Sequence, residues 1–122
     1  NNRFELMSKS SIEIAFSKNI IEEIRFDESF GLGARYVCGE EVDFLLKAFA
    51  KGYKIKYIPE IMVYHPIKLK KTNITPQIIA KGALYAKHFN IMYGLCVCVR
   101  DLLLKKENNF INFMKGYYEY KK

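Results

Sequence analysis

The strongest constraint in this sequence lies between Gly39 and Gly52. Val42, Leu45, Leu46 and Phe49 recur at i, i+3, i+4 and i+7, the spacing that lines one face of an α-helix. Glu40, Glu41 and Asp43 fall in its first turn, where the positive end of the helix dipole favours carboxylates. Asp43 and Lys47 stand four residues apart and can pair across one turn. Gly52 supplies the stop, because glycine accepts the left-handed conformation in which helices commonly end. A helix is therefore predicted over residues 40–51.

Around that helix the period changes. Residues 53–58 alternate Tyr, Lys, Ile, Lys, Tyr and end at Pro59, which predicts a strand with one wet face. Residues 61–65 read as a second extended segment, since Pro66 pushes His65 toward extended geometry. Upstream, residues 10–16 read as a short strand with Ile12 and Ile14 on one face. Ser17 can cap a short helix that carries Ile20, Ile21 and Ile24. Residues 26–39 form a loop. Its Gly31-Leu32-Gly33 lacks the spacing of a phosphate cradle and joins no strand to a helix, so these are turn glycines.

Beyond residue 67 the pattern becomes helical. Lys68, Lys70 and Lys71 form a basic linker, and Thr75-Pro76 provides a cap and a first helical residue. Ile78, Gly82, Tyr85 and Phe89 then make a helical stripe. A second helix is predicted over residues 92–106, with Leu95, Val99, Leu102 and Leu103 inward, and a third from Asn109 with Phe110, Phe113, Met114 and Tyr117. The expected fold class is α/β, or α+β for this stretch alone. Its mixed segment is residues 1–67 and its helical extension residues 68–122.

Composition narrows the function. Half of the residues are apolar and 15% aromatic, which places the chain among globular proteins and argues against disorder. The net charge of +7 suits anionic partners, whether phosphates, acidic lipid headgroups or nucleic acid, and equally suits a plain solvated surface. Nucleic acid is set aside, because no recognition motif is present and the aromatics fall on core-like stripes away from the lysines. Cys38, Cys96 and Cys98 make neither a disulfide framework nor a zinc set. A reducing, cytoplasmic setting is expected. The apolar run 91–99 meets Arg100 and Asp101 well short of the ~20 residues that span a bilayer. The opening Asn1-Asn2-Arg3 has no initiator Met, so the start is expected to lie within a longer gene product.

Five pieces then stand in order: Phe26-Asp27-Glu28-Ser29-Phe30-Gly31, Gly39-Glu40-Glu41-Val42-Asp43-Phe44, Lys51-Gly52-Tyr53-Lys54-Ile55, Tyr57-Ile58-Pro59 and Val63-Tyr64-His65. Over about residues 8–66 this resembles the second half of the GT-A-type catalytic domain of family-2, inverting glycosyltransferases. That pattern runs F-D-E-x-F loop, G-E-D-x-D helix start, helix-ending Gly, strand-ending Pro and strand-ending His.

The resemblance implies part of an enzyme that moves a sugar from a nucleotide-sugar donor to a hydroxyl of a glycan or lipid-linked acceptor, in surface polysaccharide or glycolipid synthesis. Inverting transfer needs a base for the acceptor hydroxyl, and the family's base falls on Glu41. Here Glu replaces Asp, one methylene longer. Glu40, Asp43 and Glu28 take acceptor or positioning roles, and His65 is the metal-side candidate. Without the resemblance, the three helix-start acids read as partners of the dipole, His65 as a polar strand end, and Glu28 as a loop residue accepting backbone hydrogen bonds. No D-x-D occurs in the chain. Mg²⁺ or Mn²⁺ is thus expected only in the full-length enzyme, with none bound here, and this stretch alone is expected to be inactive. A sheet without its upstream strands would expose edges, so self-association is expected. The linker lysines suit peripheral contact with the inner face of a membrane. The other reading is a non-catalytic basic module that binds an anionic surface or partner.

Overall fold

Helix formation follows the 3.6-residue pattern closely. The structure is a computed structural model that describes residues 3–61, 63, 64, 73–105 and 109–122. The α-helices among the described residues are α1 (Arg3–Leu6), α2 (Ile20–Glu23), α3 (Glu40–Ala50), α4 (Thr75–His88), α5 (Ile91–Lys105) and α6 (Phe110–Lys121). The end of α3 shows why its boundary was readable. Gly52 takes φ +85°, and its N–H reaches Phe49 O while that of Tyr53 reaches Ala48 O, both at 3.0 Å. This paired closure of the last turn needs a left-handed residue at that position.

The α/β expectation is overturned. Helix takes up 58% of the described residues, with no strand and no sheet among them. Their only ladder-type pairing is a single bridge between Phe30 and Tyr36. Residues 10–16 turn locally instead: Glu13 N–H reaches Ser10 O at 3.0 Å, and the Ser10 N–H reaches the Glu13 carboxylate at 2.8 Å. Such short-range bonds compete with a strand ladder. In residues 53–58 the alternation survives only in part. Tyr53 and Ile55 are half-buried between exposed lysines, but residues 53–58 form no strand. Period-2 patterning describes a surface, and a strand also needs a partner for its N–H and C=O groups. Of residues 61–65, the described Ile61, Val63 and Tyr64 are not in a strand.

The chain divides into two compact units, Asn1–Asp27 with Glu40–Thr72, and Glu28–Gly39 with Asn73–Lys122. In the first, Ile20, Ile24, Phe44 and Ala48 make the core, with Ile21 and Tyr53 against it. Phe44 is 1% exposed. Its ring stacks on Phe26 at 4.7 Å and meets Phe16 at 4.9 Å. Lys51 ties the end of α3 to α2, donating to Glu23 O at 3.0 Å.

In the second unit α4 and α6 pack backbone against backbone. A Cβ at Gly82 would strike Phe113 O, and one at Gly116 would strike Ile79 O. Ala80 and Ala83 are fully buried beside them. The Phe113 ring lies over Gly94 of α5, where a Cβ would come within 2.8 Å of it, and 5.4 Å from the Tyr85 ring. The loop Glu28–Gly39 belongs with these helices. Phe30 and Tyr36 rest 6.0 and 6.1 Å from Tyr120, and Arg35 donates to Glu119 O at 3.1 Å. Burial pushes the Tyr36 phenol above its ordinary pKa, and the Arg35 charge pulls the other way.

The inward face of α5 differs from the sequence expectation. Gly94, Val97 and Asp101 are buried, whereas Val99, Leu102 and Leu103 are 55%, 51% and 72% exposed. An ion pair lies on the side that turns inward. Lys81 of α4 pairs with Asp101 at 3.2 Å, and Arg100 Nε donates to it at 2.9 Å. Burial alone would raise the Asp101 carboxyl, but the Arg100 hydrogen bond and the Lys81 charge outweigh it and hold the group below the usual carboxylate range.

Two outcomes test this packing. Gly82→Ala would ordinarily gain about 1 kcal/mol of helix propensity, yet the new methyl meets a backbone carbonyl that cannot swing away. Net destabilisation of about 2 kcal/mol is expected, read as a lower urea midpoint; an unchanged midpoint would refute the close approach. For Asp101 the folded pKa lies below the unfolded one. Its contribution is therefore present above the unfolded carboxylate value of about 4 and is lost as pH falls through the folded value. Asp101→Asn should cost about 1–3 kcal/mol at neutral pH, and its melting temperature should converge on wild type in acid.

Candidate functional site

The acids at the start of α3 are the site candidates that the described residues bring together. Gly39 precedes the helix at φ +102°, and α3 begins on the next residue. The first N–H groups of any helix lack intrahelical partners and carry its partial positive charge. Glu40 and Glu41 stand in that field, about 100° apart around the axis. Both are half-buried. Each has its Oε2 closed to solvent, and that of Glu40 makes no hydrogen bond. One oxygen of each carboxylate is thus shielded while the residue itself stays partly open, and a carboxylate within hydrogen-bond reach of a hydroxyl can take its proton.

Asp43 is positioned differently. It is 0% exposed, and Lys47 Nζ lies 2.7 Å from its Oδ2. The same ammonium donates to Arg25 O at 3.0 Å. Sequence spacing foresaw the i, i+4 pair; the structure buries its carboxylate and, through Lys47, joins α3 to the segment before Phe26. Asp43 is thereby committed to Lys47, which suits a positioning role over a chemical one.

Glu28 is exposed and belongs to the other compact unit, within the loop Glu28–Gly39. His65 lies outside the described residues, as do Lys68, Lys70 and Lys71. Among the described residues no cluster of three or more His, Cys, Asp or Glu is arranged to hold a metal. Sequence reasoning missed the attachment of the loop Glu28–Gly39 to α6. The aromatic spacing Phe30, Tyr36 was the available signal, but its partner Tyr120 is too distant in sequence for any periodicity to join them. It also missed the Lys81–Asp101 pair, which links two separate helices.

Comparison with family models, with curated proteins and with solved structures finds no match to this chain.

The Asp43–Lys47 pair generates a test. Lys47→Met removes the cation beside a fully buried carboxylate and should cost about 3 kcal/mol. Asp43→Asn leaves a lysine that still reaches Arg25 O and water, so it should cost less. A double-mutant cycle read by chemical denaturation measures the coupling; a coupling near zero would mean that the pair does not anchor α3.

Proposed function

We propose that this chain contributes the acceptor side of a nucleotide-sugar-dependent, inverting glycosyltransferase, with Glu41 as the general base. The observation that carries the reading is the helix start itself. The glycine-framed motif order of residues 26–65 resembles the family, and the acids of that motif stand in the first turn of α3 with carboxylate oxygens shielded from water. The reading rests on residues and local geometry, and a GT-A sheet is no part of it.

In this reaction the acceptor oxygen attacks the anomeric carbon from the face opposite the nucleotide. The new C–O bond forms as the bond to the diphosphate breaks, the nucleoside diphosphate leaves with the electron pair, and the hydroxyl proton passes to the Glu41 carboxylate. The α3 dipole favours the anionic form that receives it. Glu40 orients the neighbouring backbone or the acceptor, and Asp43 holds the helix in place through Lys47.

The test is turnover of the enzyme that contains this sequence, followed as nucleoside diphosphate released from UDP- and GDP-sugars. Glu41→Gln keeps the shape and removes the proton acceptor, so kcat should fall by about 10²–10⁴ with donor affinity retained. Glu40→Gln should do less. If Glu41→Gln turns over at nearly the wild-type rate and loses only about 1 kcal/mol of stability, the acids are dipole partners and the basic-module reading replaces this one.

A further inference from the structure

We propose that the outward face of α5 docks on an anionic lipid bilayer, with the helix lying flat in the headgroup region. Met92, Cys96, Val99 and Leu103 follow at i, i+4, i+7 and i+11, so they share one side of the helix. Met92 is 63% exposed, Val99 55% and Leu103 72%. Leu95 and Leu104 widen the strip, which runs about 17 Å at 1.5 Å per residue. The opposite side is already engaged through Gly94, Val97 and Asp101. A helix that is apolar on two sides is ordinarily covered on both, and a continuous exposed patch of this kind marks an interaction surface.

Charge identifies the occupant. The chain carries +7. From Asn73 onward Lys and Arg outnumber Asp and Glu, and among those few acids Asp101 is paired with Lys81 and Arg100. Two such copies repel each other, whereas each basic residue near an anionic bilayer strengthens binding by about fivefold. Arg100, with half its side chain exposed, borders the strip. Tyr93, 48% exposed, stands on its flank, where an aromatic ring suits the headgroup level. No helix among the described residues is long and apolar enough to cross a membrane; the contact is with the surface. This inference is independent of the sugar-transfer reading.

The chain contains no Trp, so Leu103→Trp is a clean reporter. On vesicles of phosphatidylcholine mixed with phosphatidylglycerol its emission should shift to the blue, the shift weakening with salt and being small on phosphatidylcholine alone. Val99→Lys with Leu103→Lys adds two positive charges yet removes apolar contact, so co-sedimentation should weaken by at least about tenfold at unchanged helical circular dichroism. Binding as tight as wild type would mean charge-only attraction and would overturn the insertion. An unshifted Leu103→Trp would overturn it too. So would a lipid-free dimer that the double variant dissolves, because a second copy would then cover the face. Should the double variant lose its helical signal, brominated acyl chains decide alone: quenching of Leu103→Trp upholds the proposal and its absence refutes it.

Discussion

Phe113 is the residue on which the C-terminal unit closes. Its backbone carbonyl occupies the space a side chain at Gly82 would need, and its ring occupies the space above Gly94. One residue thus brings α6 against α4 and α5 against α6, and it does so through contacts that only glycine permits. Such packing resists relaxation, because a carbonyl in a helix cannot rotate out of the way as a flexible side chain can. The loop Glu28–Gly39 depends on the same arrangement at one remove. Tyr120, two turns further along α6, supplies the surface on which Phe30 and Tyr36 rest.

The first unit is organised by a different force. Phe44 fills its core, and the adjacent Asp43 brings a charge into the same interior with Lys47 beside it. A buried ion pair seldom adds stability compared with apolar residues of the same size, because desolvation offsets much of the attraction. Its effect here is orientational. It fixes which side of α3 faces inward and therefore which way the first turn presents Glu40 and Glu41.

The legible parts of the fold were those set by neighbours three or four residues away. The apolar face of α3, its acidic first turn and its Gly52 stop lie within one short window, and each appears in the structure as the spacing implies. The same holds for the existence of α4, α5 and α6. What failed depends on distant partners. The alternation in residues 53–58 was real, but a strand requires a second backbone that the pattern does not encode. For α5, apolarity alone could not choose between two competing faces, since Leu95, Val99, Leu102 and Leu103 outweigh Gly94, Val97 and Asp101 on any hydropathy scale. The side that turned inward is the one that meets Lys81 on another helix and the ring of Phe113. The candidate site was legible as residue types, and its local geometry became visible only with the burial of the carboxylates.

That reversal of α5 has a consequence for the whole surface. Within the C-terminal unit the narrower side of α5 packs inward, with Asp101 beside Lys81 and Arg100 and Gly94 under the Phe113 ring, while the wider apolar strip has more than one place to go. Water is the least favourable of those places, at roughly 25 cal/mol for each Å² left exposed. The cost is tolerable for a chain in solution and is removed when a surface covers the strip. The inward acid and the outward leucines are therefore two aspects of one choice. Lys81 and Asp101 commit one side of α5 to its own protein, and the same commitment leaves the other side free for a partner.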